Sequence, residues 1–299
     1  MNKRYNFNEE EMSIKPVWAF TYSMVGIVCM SLLWSIITMV FPGVDPQNNM
    51  IAFFASFFII TLALFIGSAI TYKVQGLQIG DITQLKFKKI YILVIVLVGF
   101  GTFFGLSGVN DYFVMFLEKF GYKPDIITLP PKSFLSVAGS ILFIAILPAV
   151  VEEFLFRGIM LKGAKNLGSL QAVFVTALAF SLYHMSPAQT IYQFVIGVIY
   201  ALIALSSGSI IPTTILHFLN NFVIIMLNYF CPTFMLSGWV KIVLTIVGLI
   251  MTAIGLILAL KNFKFEKIEV KKTTKLDYLI AILPGFIICF AVWVANLFV

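Results

Sequence analysis

The sequence is 299 residues long, and 61% of its residues are hydrophobic while only 11% are charged. Soluble domains have about a quarter charged residues, so this chain has too few charges to cover a water-exposed surface. The formal net charge of +7 does not indicate nucleic-acid binding, because the lysines lie between apolar runs rather than along one face. The composition therefore predicts a membrane protein.

A helix that crosses a bilayer needs about 20 apolar residues, because the hydrocarbon is ~30 Å thick and each residue adds ~1.5 Å. Nine stretches are candidates: roughly 17–41, 50–72, 90–108, 133–156, 169–186, 188–206, 209–230, 239–260 and 277–298. The fifth and sixth are short and closely joined through Ser186 and Pro187, so we predict eight or nine spans. Since a sheet edge cannot stay unpaired in lipid, the predicted fold is all-α, a polytopic transmembrane helix bundle.

Three features of the spans and loops carry further predictions. Gly101 and Gly105 in the third span have the GxxxG spacing, which indicates a close helix contact. Residues 111–120 are predicted to form a short interfacial amphipathic helix. Residues 261–276 contain six lysines, and we expect this basic loop to touch anionic headgroups.

The basic residues also predict the orientation of the chain. With the N-terminus inside, 16 lysines and arginines fall in inner segments and 4 in outer loops. Because positive charge accumulates on the cytoplasmic side, nine spans would place the N-terminus inside and the C-terminus outside. The Lys-rich composition and the polar start without a cleavable signal peptide are compatible with a bacterial plasma membrane, which is the predicted location.

An acidic pair lies in the fourth span. Glu152 and Glu153 follow directly on the apolar run 140–151. An ionised carboxylate within the membrane costs ~3 kcal/mol or more, so such residues are rare and usually functional. Glu153 and Arg157 are four residues apart, which predicts an ion pair on one helix face. Glu152 is turned about 100° from Glu153, so we expect it to point toward another part of the bundle.

The two histidines of the chain, His184 and His217, both lie in membrane-embedded stretches. A lone intramembrane histidine is often only a structural donor between helices. Two of them together with the acidic pair favour a functional site, buried between the fourth, fifth and seventh helices. Asn221 follows His217 by four residues and shares its helix face, whereas Asn220 is expected to point toward another helix.

These side chains suffice for amide hydrolysis without a serine or cysteine nucleophile. A carboxylate and an imidazole can deprotonate one water molecule. A second imidazole and a carboxamide can donate hydrogen bonds to the oxyanion that develops. Alternatively, Glu152, His184 and His217 could bind Zn²⁺, which would acidify the water. The zinc-protease spacing HExxH is absent, and the sequence has no Gly-rich phosphate loop that would indicate a nucleotide.

Three short motifs resemble those of a known family, the CPBP intramembrane proteases. Residues 152–157, Glu-Glu-Phe-Leu-Phe-Arg, are similar to its EExxxR motif. Residues 180–184 match its FxxxH motif and residues 217–221 its HxxxN motif, in family order and each on its own helix. The family includes the type II CAAX prenyl endopeptidases and bacteriocin-processing or immunity proteins. The resemblance covers roughly residues 135–230.

The resemblance implies a role for each matching residue. Glu152 would activate water together with His184, and His217 and Asn221 would form the oxyanion hole. Glu153 and Arg157 would support the site. We expect a glutamate-type hydrolase without a cofactor, because the amide of Asn221 is a better oxyanion donor than zinc ligand; Zn²⁺ is the alternative.

The predicted organisation has three parts: transmembrane helices 1–3 over residues 1–132, a catalytic helical core over 133–230, and C-terminal helices with the basic loop over 231–299. The predicted substrate is a membrane-associated peptide or protein, such as a bacteriocin or signalling-peptide precursor, and no nucleic acid or nucleotide is expected as a partner. Two other functions stay open: a non-catalytic immunity or scaffold protein of the same fold, and a proton-coupled transporter with a Glu and His relay.

Overall fold

The computed structural model describes residues 15–75, 85–124, 128–232, 238–265 and 272–298. These residues form helices and connecting turns without any strand. We number the main helices in chain order: α1 Trp18–Val40, α2 Met50–Gln75, α3 Ile90–Glu118, α4 Phe134–Gly163, α5 Ser169–Tyr183, α6 Thr190–Ser207, α7 Ile211–Phe230, α8 Gly238–Leu260 and α9 Lys272–Leu297.

Eight of these helices are long and apolar enough to cross a membrane, and α5 is a shorter apolar helix of 15 residues. The prediction of an all-α bundle with eight or nine spans is therefore confirmed. Large apolar side chains cover the outside of the bundle, for example Leu32, Ile92 and Val243. Such a surface suits lipid, since it would be costly in water.

The ends of the helices fall into two groups. At one end, the hydroxyl of Tyr278 at the start of α9 donates to the carbonyl of Gly163 at the end of α4. At the other end, the amide of Ala188 lies 3.4 Å from the hydroxyl of Tyr122, which follows α3. All nine helices alternate between these two ends, so α5 runs between the same ends as the longer helices. The side on which each end lies in the cell stays a prediction.

The predicted interfacial helix over 111–120 is wrong, because α3 continues without a break to Glu118. The stretch 109–118 contains no proline or glycine that would stop the helix, and the chain turns only at Gly121, where φ is +90°. The predicted basic loop over 261–276 falls partly outside the described residues, because 266–271 are not among them.

The GxxxG prediction is confirmed by the packing of α3 against α8. A methyl group built on Gly248 would overlap the backbone nitrogen of Gly105, and one on Gly101 would overlap Thr252. Small residues on both helices thus let the two backbones approach closely. An ion pair of 2.6 Å between Lys241 and Asp111 lies farther along the same pair of helices.

Candidate active site

A cavity of about 590 Å³ opens among the helices, and the four residues predicted to be catalytic all line it. They are Glu152, His184, His217 and Asn221. Glu152 lies on α4, His217 and Asn221 lie on α7, and His184 directly follows α5. The structure thus brings together, between the fourth, fifth and seventh helices, residues that are up to 69 positions apart in the sequence (152 to 221).

Glu153 and Arg157 form the predicted ion pair. Arg157 Nη1 donates to Glu153 Oε1 at 2.7 Å, and the two side chains are fully buried. The guanidinium also lies over the rings of Phe180 and Tyr200, with its carbon 4.3 Å and 5.4 Å from the ring centres. Because burial removes the cation from water, the carboxylate and the ring faces replace part of its hydration.

His217 connects the two glutamates. Its Nδ1 lies 3.0 Å from Glu153 Oε1, which already accepts from Arg157. Its Nε2 faces the other way and lies 3.9 Å from Glu152 Oε2. The hydrogen bond at Nδ1 orients the ring, so that the free nitrogen is directed at Glu152. Sequence analysis did not predict that a histidine of α7 would contact Glu153.

The two oxygens of Glu152 have different surroundings. The hydroxyl of Tyr183 donates to Oε1 at 3.2 Å. Oε2 is buried and has no hydrogen-bond partner among the described residues. A buried carboxylate oxygen without a partner is unusual, because leaving it unpaired costs free energy. This oxygen is therefore available to a molecule in the cavity.

His184 makes its own hydrogen bond within the last turn of α5. Its Nδ1 lies 2.8 Å from the carbonyl oxygen of Phe180. Since a carbonyl can only accept, Nδ1 must carry the hydrogen. In the neutral ring, Nε2 then has a lone pair and can accept a hydrogen bond or a proton. In the part of the chain that the structure describes, no hydrogen bond or ion pair joins His184 to Glu152 directly.

A chain of hydrogen bonds orients Asn221. The hydroxyl of Tyr192 donates to Asn220 Oδ1 at 2.6 Å, and Asn220 Nδ2 donates to Asn221 Oδ1 at 3.3 Å. Asn221 Nδ2 donates to the carbonyl of Ile144 at 3.2 Å. An amide nitrogen has two hydrogens, so one remains for a ligand in the cavity. The prediction that Asn220 points toward another helix is confirmed, since Tyr192 belongs to α6.

Pro148 lies four residues after Ile144 and has no N–H to donate to its carbonyl. In a regular α-helix the amide of residue 148 would make this bond. The surrounding helix is adjusted as well: residues Ile141–Ile146 and Phe154–Met160 are π-helical, on either side of the glutamate pair. Single π-helical turns are frequent at functional sites.

One segment of the chain is similar to a known family. Residues 134–223 match the family model described as Type II CAAX prenyl endopeptidase Rce1-like. This segment is similar to the Rce1-like proteases. The match confirms the family predicted from the three motifs and contains all six predicted site residues. Neither the curated proteins nor the solved structures that were searched include a match to this chain.

The match to the Rce1-like family supports intramembrane protease activity at the level of the family. The family match and the eight long apolar helices together describe a multi-pass membrane protein. The match covers about a third of the chain, and α1, α2, α3, α8 and α9 lie outside it.

The positions of the possible ligand atoms bear on the zinc alternative. Among the described residues, no three His, Cys, Asp or Glu side chains are placed to hold a metal ion. His217 Nδ1 is already engaged with Glu153 and His184 Nδ1 with Phe180, so each ring offers one nitrogen. The described side chains do not form a zinc site in this arrangement.

Several residues that shape the site were not identified from the sequence: Tyr183, Tyr192, Tyr200 and Pro148. For two of them a signal was present. Tyr183 directly precedes His184 in the FxxxH motif, and Pro148 interrupts a transmembrane helix four residues before Glu152. A proline inside a span frees a carbonyl four residues earlier, which would have indicated a polar partner for Ile144.

Proposed function

We propose that this Rce1-like protein hydrolyses a peptide bond of a membrane-associated peptide or protein with a water molecule activated by Glu152. The observation that carries the proposal is the unpartnered Oε2 of Glu152, which lies in the cavity 3.9 Å from His217 Nε2. This distance is too long for a direct hydrogen bond and suits a water molecule between the two atoms.

In the proposed reaction, Glu152 takes a proton from this water, and the oxygen attacks the carbonyl carbon of the peptide. The carbonyl π electrons move to its oxygen, which becomes an oxyanion. When the carbon–nitrogen bond breaks, the protonated Glu152 gives its proton to the leaving amine. Tyr183 supports this cycle, because its hydrogen bond to Oε1 fixes the carboxylate and leaves Oε2 for the water.

The proposed oxyanion donors are Asn221 and His217. Asn221 has one amide hydrogen left after its bond to Ile144. His217 donates from Nε2 only when its ring is protonated, because Nδ1 donates to the Glu153 carboxylate. His184, with its hydrogen on Nδ1, presents an acceptor and therefore suits the proposed role beside Glu152, holding the attacking water.

The proposed substrate class follows from the location of the cavity. It lies among transmembrane helices, and its lining includes apolar groups such as Ile27, Ile60 and Ile224 beside the polar ones. Such a site suits a peptide that is held at the membrane. A bacteriocin or signalling-peptide precursor is the preferred class, and a prenylated C-terminus is the class that the family's description names.

The test is cleavage of a quenched-fluorescent peptide library, with and without a prenyl group, by the purified protein in detergent. We predict that Glu152→Gln lowers kcat at least ~10²-fold, because the amide cannot accept the proton of water. The melting temperature should change little, since the two side chains are nearly the same size. Glu118→Gln makes the same chemical change on an exposed residue at the end of α3 and is expected to cleave normally.

Cleavage by Glu152→Gln at the wild-type rate would show that the base is assigned wrongly. If the protein is instead a non-catalytic scaffold or immunity protein, neither the wild type nor Glu152→Gln should cleave any peptide. The binding phenotype of the variant should then equal that of the wild type.

The same assay separates water activation by glutamate from activation by zinc. Treatment with phenanthroline should leave the activity intact, and Asn221→Ala should lower kcat ~10²–10³-fold with little change in KM, since an oxyanion donor acts in the transition state. Loss of activity with chelator, restored by Zn²⁺, would overturn the glutamate mechanism.

A further inference from the structure

The turn that follows His184 has an unusual backbone conformation. Met185 has a φ of +51°, and it is the one non-glycine residue with a positive φ in the described part of the chain. A side chain in this left-handed region costs on the order of 1 kcal/mol or more, so neighbouring groups must hold it there. Met185 lines the cavity together with His184 and Gln189.

Two side chains of α9 hold this turn from outside. Asn296 Nδ2 donates to the carbonyl of Met185 at 2.9 Å. Trp293 Nε1 donates to Thr190 Oγ1 at 2.8 Å, at the other end of the turn. The two bonds join residues that are 111 and 103 positions apart in the sequence. The turn between α5 and α6 is thus fastened to α9 at both of its ends.

The turn is also closed within itself. Thr190 Oγ1 donates to the carbonyl of Ser186 at 3.0 Å, and Ser181 Oγ donates to the carbonyl of Thr190 at 2.7 Å. The hydroxyl of Thr190 therefore accepts from Trp293 and donates to the turn. Because of this arrangement, a displacement of α9 would be transmitted to the backbone that carries His184.

Helix α9 is itself fixed to α1. The hydroxyl of Thr21 donates to the carbonyl of Ala281 at 2.6 Å and accepts from the amide of Gly285 at 3.2 Å. It therefore lies between two backbone groups of α9, next to Pro284. An inserted side chain at a proline is a common cause of a fixed bend in a helix. This contact sets the direction in which the second half of α9 approaches the turn.

We propose that Asn296 and Trp293 are positioning residues, which hold the Met185 turn so that His184 Nε2 faces the reaction site. This inference rests on the proposed function, since it matters to catalysis only if His184 takes part. Both residues lie outside the segment 134–223 that matches the Rce1-like family model. Through these two residues, the C-terminal helix α9 would help to position His184 in the active site.

The first test compares Asn296→Leu with Asn228→Leu. Leucine keeps the approximate size of asparagine and is favourable in a membrane helix, but it cannot donate to Met185. We expect Asn296→Leu to lower kcat about five- to tenfold, which corresponds to one lost hydrogen bond, with KM within about twofold and an unchanged melting temperature. Asn228 lies exposed near the end of α7, so Asn228→Leu is the matched control. Trp293→Phe should behave like Asn296→Leu.

A second measurement does not depend on activity. The chain has two histidines, so histidine-labelled protein gives two sets of imidazole NMR signals, which His184→Gln assigns. Asn296→Leu should split or broaden the His184 signals and leave those of His217 unchanged. Unchanged His184 signals in Asn296→Leu and Trp293→Phe would overturn the proposal, even if the wild-type protein cleaved no peptide.

The substitution Met185→Gly tests whether Asn296 acts through the backbone conformation of Met185. Because glycine adopts a positive φ at little cost, the turn should depend less on Asn296 in the Met185→Gly background. We expect Asn296→Leu to disturb the His184 signals and kcat less there than in the wild-type background. Equal effects in both backgrounds would show that Asn296 does not act through the conformation of Met185.

Discussion

Glu153 has more partners than the spacing of the sequence predicted. Arg157 was expected from the i, i+4 position, whereas His217 reaches the same oxygen from α7. The carboxylate therefore has two functions at once: it balances a buried guanidinium, and it orients the imidazole that faces Glu152. Such a shared oxygen makes the three residues one unit, so their substitutions should not be additive.

We predict that Glu153→Gln lowers the melting temperature in detergent more than Arg157→Met does. The glutamine leaves the guanidinium buried without an anion, while Arg157→Met leaves Glu153 with His217 as a partner. Breaking a buried pair on one side costs about 3–5 kcal/mol. The double variant strands neither charge and should lose less stability than the two single variants added together. Purely additive losses would show that the two residues do not act as a pair.

At the scale of the helix, α4 departs from regular geometry on either side of the glutamate pair. Pro148 removes one amide from the helix, and the carbonyl of Ile144 accepts a hydrogen bond from Asn221 of α7. The irregularity costs α4 an internal hydrogen bond, but it supplies an acceptor that fixes the proposed oxyanion donor. In membrane proteins, a carbonyl that loses its hydrogen bond at a proline commonly accepts one from a neighbouring helix, because lipid offers no partner.

We predict that Pro148→Ala keeps or raises the melting temperature and lowers kcat about tenfold. The new amide can donate to Ile144, so it competes with Asn221 for the same carbonyl and loosens the orientation of that side chain. The effect should not add to that of Asn221→Ala, because the two substitutions act on one bond. Pro212→Ala is the control, since Pro212 lies in the first turn of α7, where no amide is needed. Unchanged kcat in Pro148→Ala would contradict the link to Asn221.

At the scale of the whole molecule, the site depends on helices from both halves of the chain. The matched segment supplies the chemical groups, α1 fixes α9, and α9 holds the turn after His184. The three predicted parts follow one another along the sequence. The hydrogen bonds of Thr21 and Asn296 join residues of different parts.

The arrangement of helix ends gives a prediction on topology. With nine crossings and positive charge inside, we expect a C-terminal alkaline phosphatase fusion to be active and a C-terminal green fluorescent protein fusion to be dark in a bacterial host. Fusions after Gly163, at the opposite end of the bundle, should show the reverse pattern. A fluorescent C-terminal fusion would show that the chain has the other orientation or that α5 does not cross the bilayer.

The sequence alone was sufficient to predict the fold class and the similarity of residues 134–223 to the family. Apolar runs of about 20 residues predict spanning helices because lipid offers no hydrogen-bond partners to the backbone. Glu152, His184, His217 and Asn221 could be selected as candidate site residues because polar groups are costly in lipid, so each one differs clearly from its apolar neighbours. The Glu153–Arg157 pair was predictable as well, since residues four apart share a helix face.

The tertiary structure decided which of these groups meet. Nothing in the spacing indicates that His217 faces both glutamates, that Tyr183 fixes one oxygen of Glu152, or that Asn296 holds the turn after His184. These contacts join positions that are 31 to 111 residues apart, and they depend on how whole helices are rotated and packed. A helix that is apolar on every side can turn any of its faces toward lipid, so its periodicity does not specify its rotation. Small residues and buried polar groups determine which face packs against the neighbouring helices.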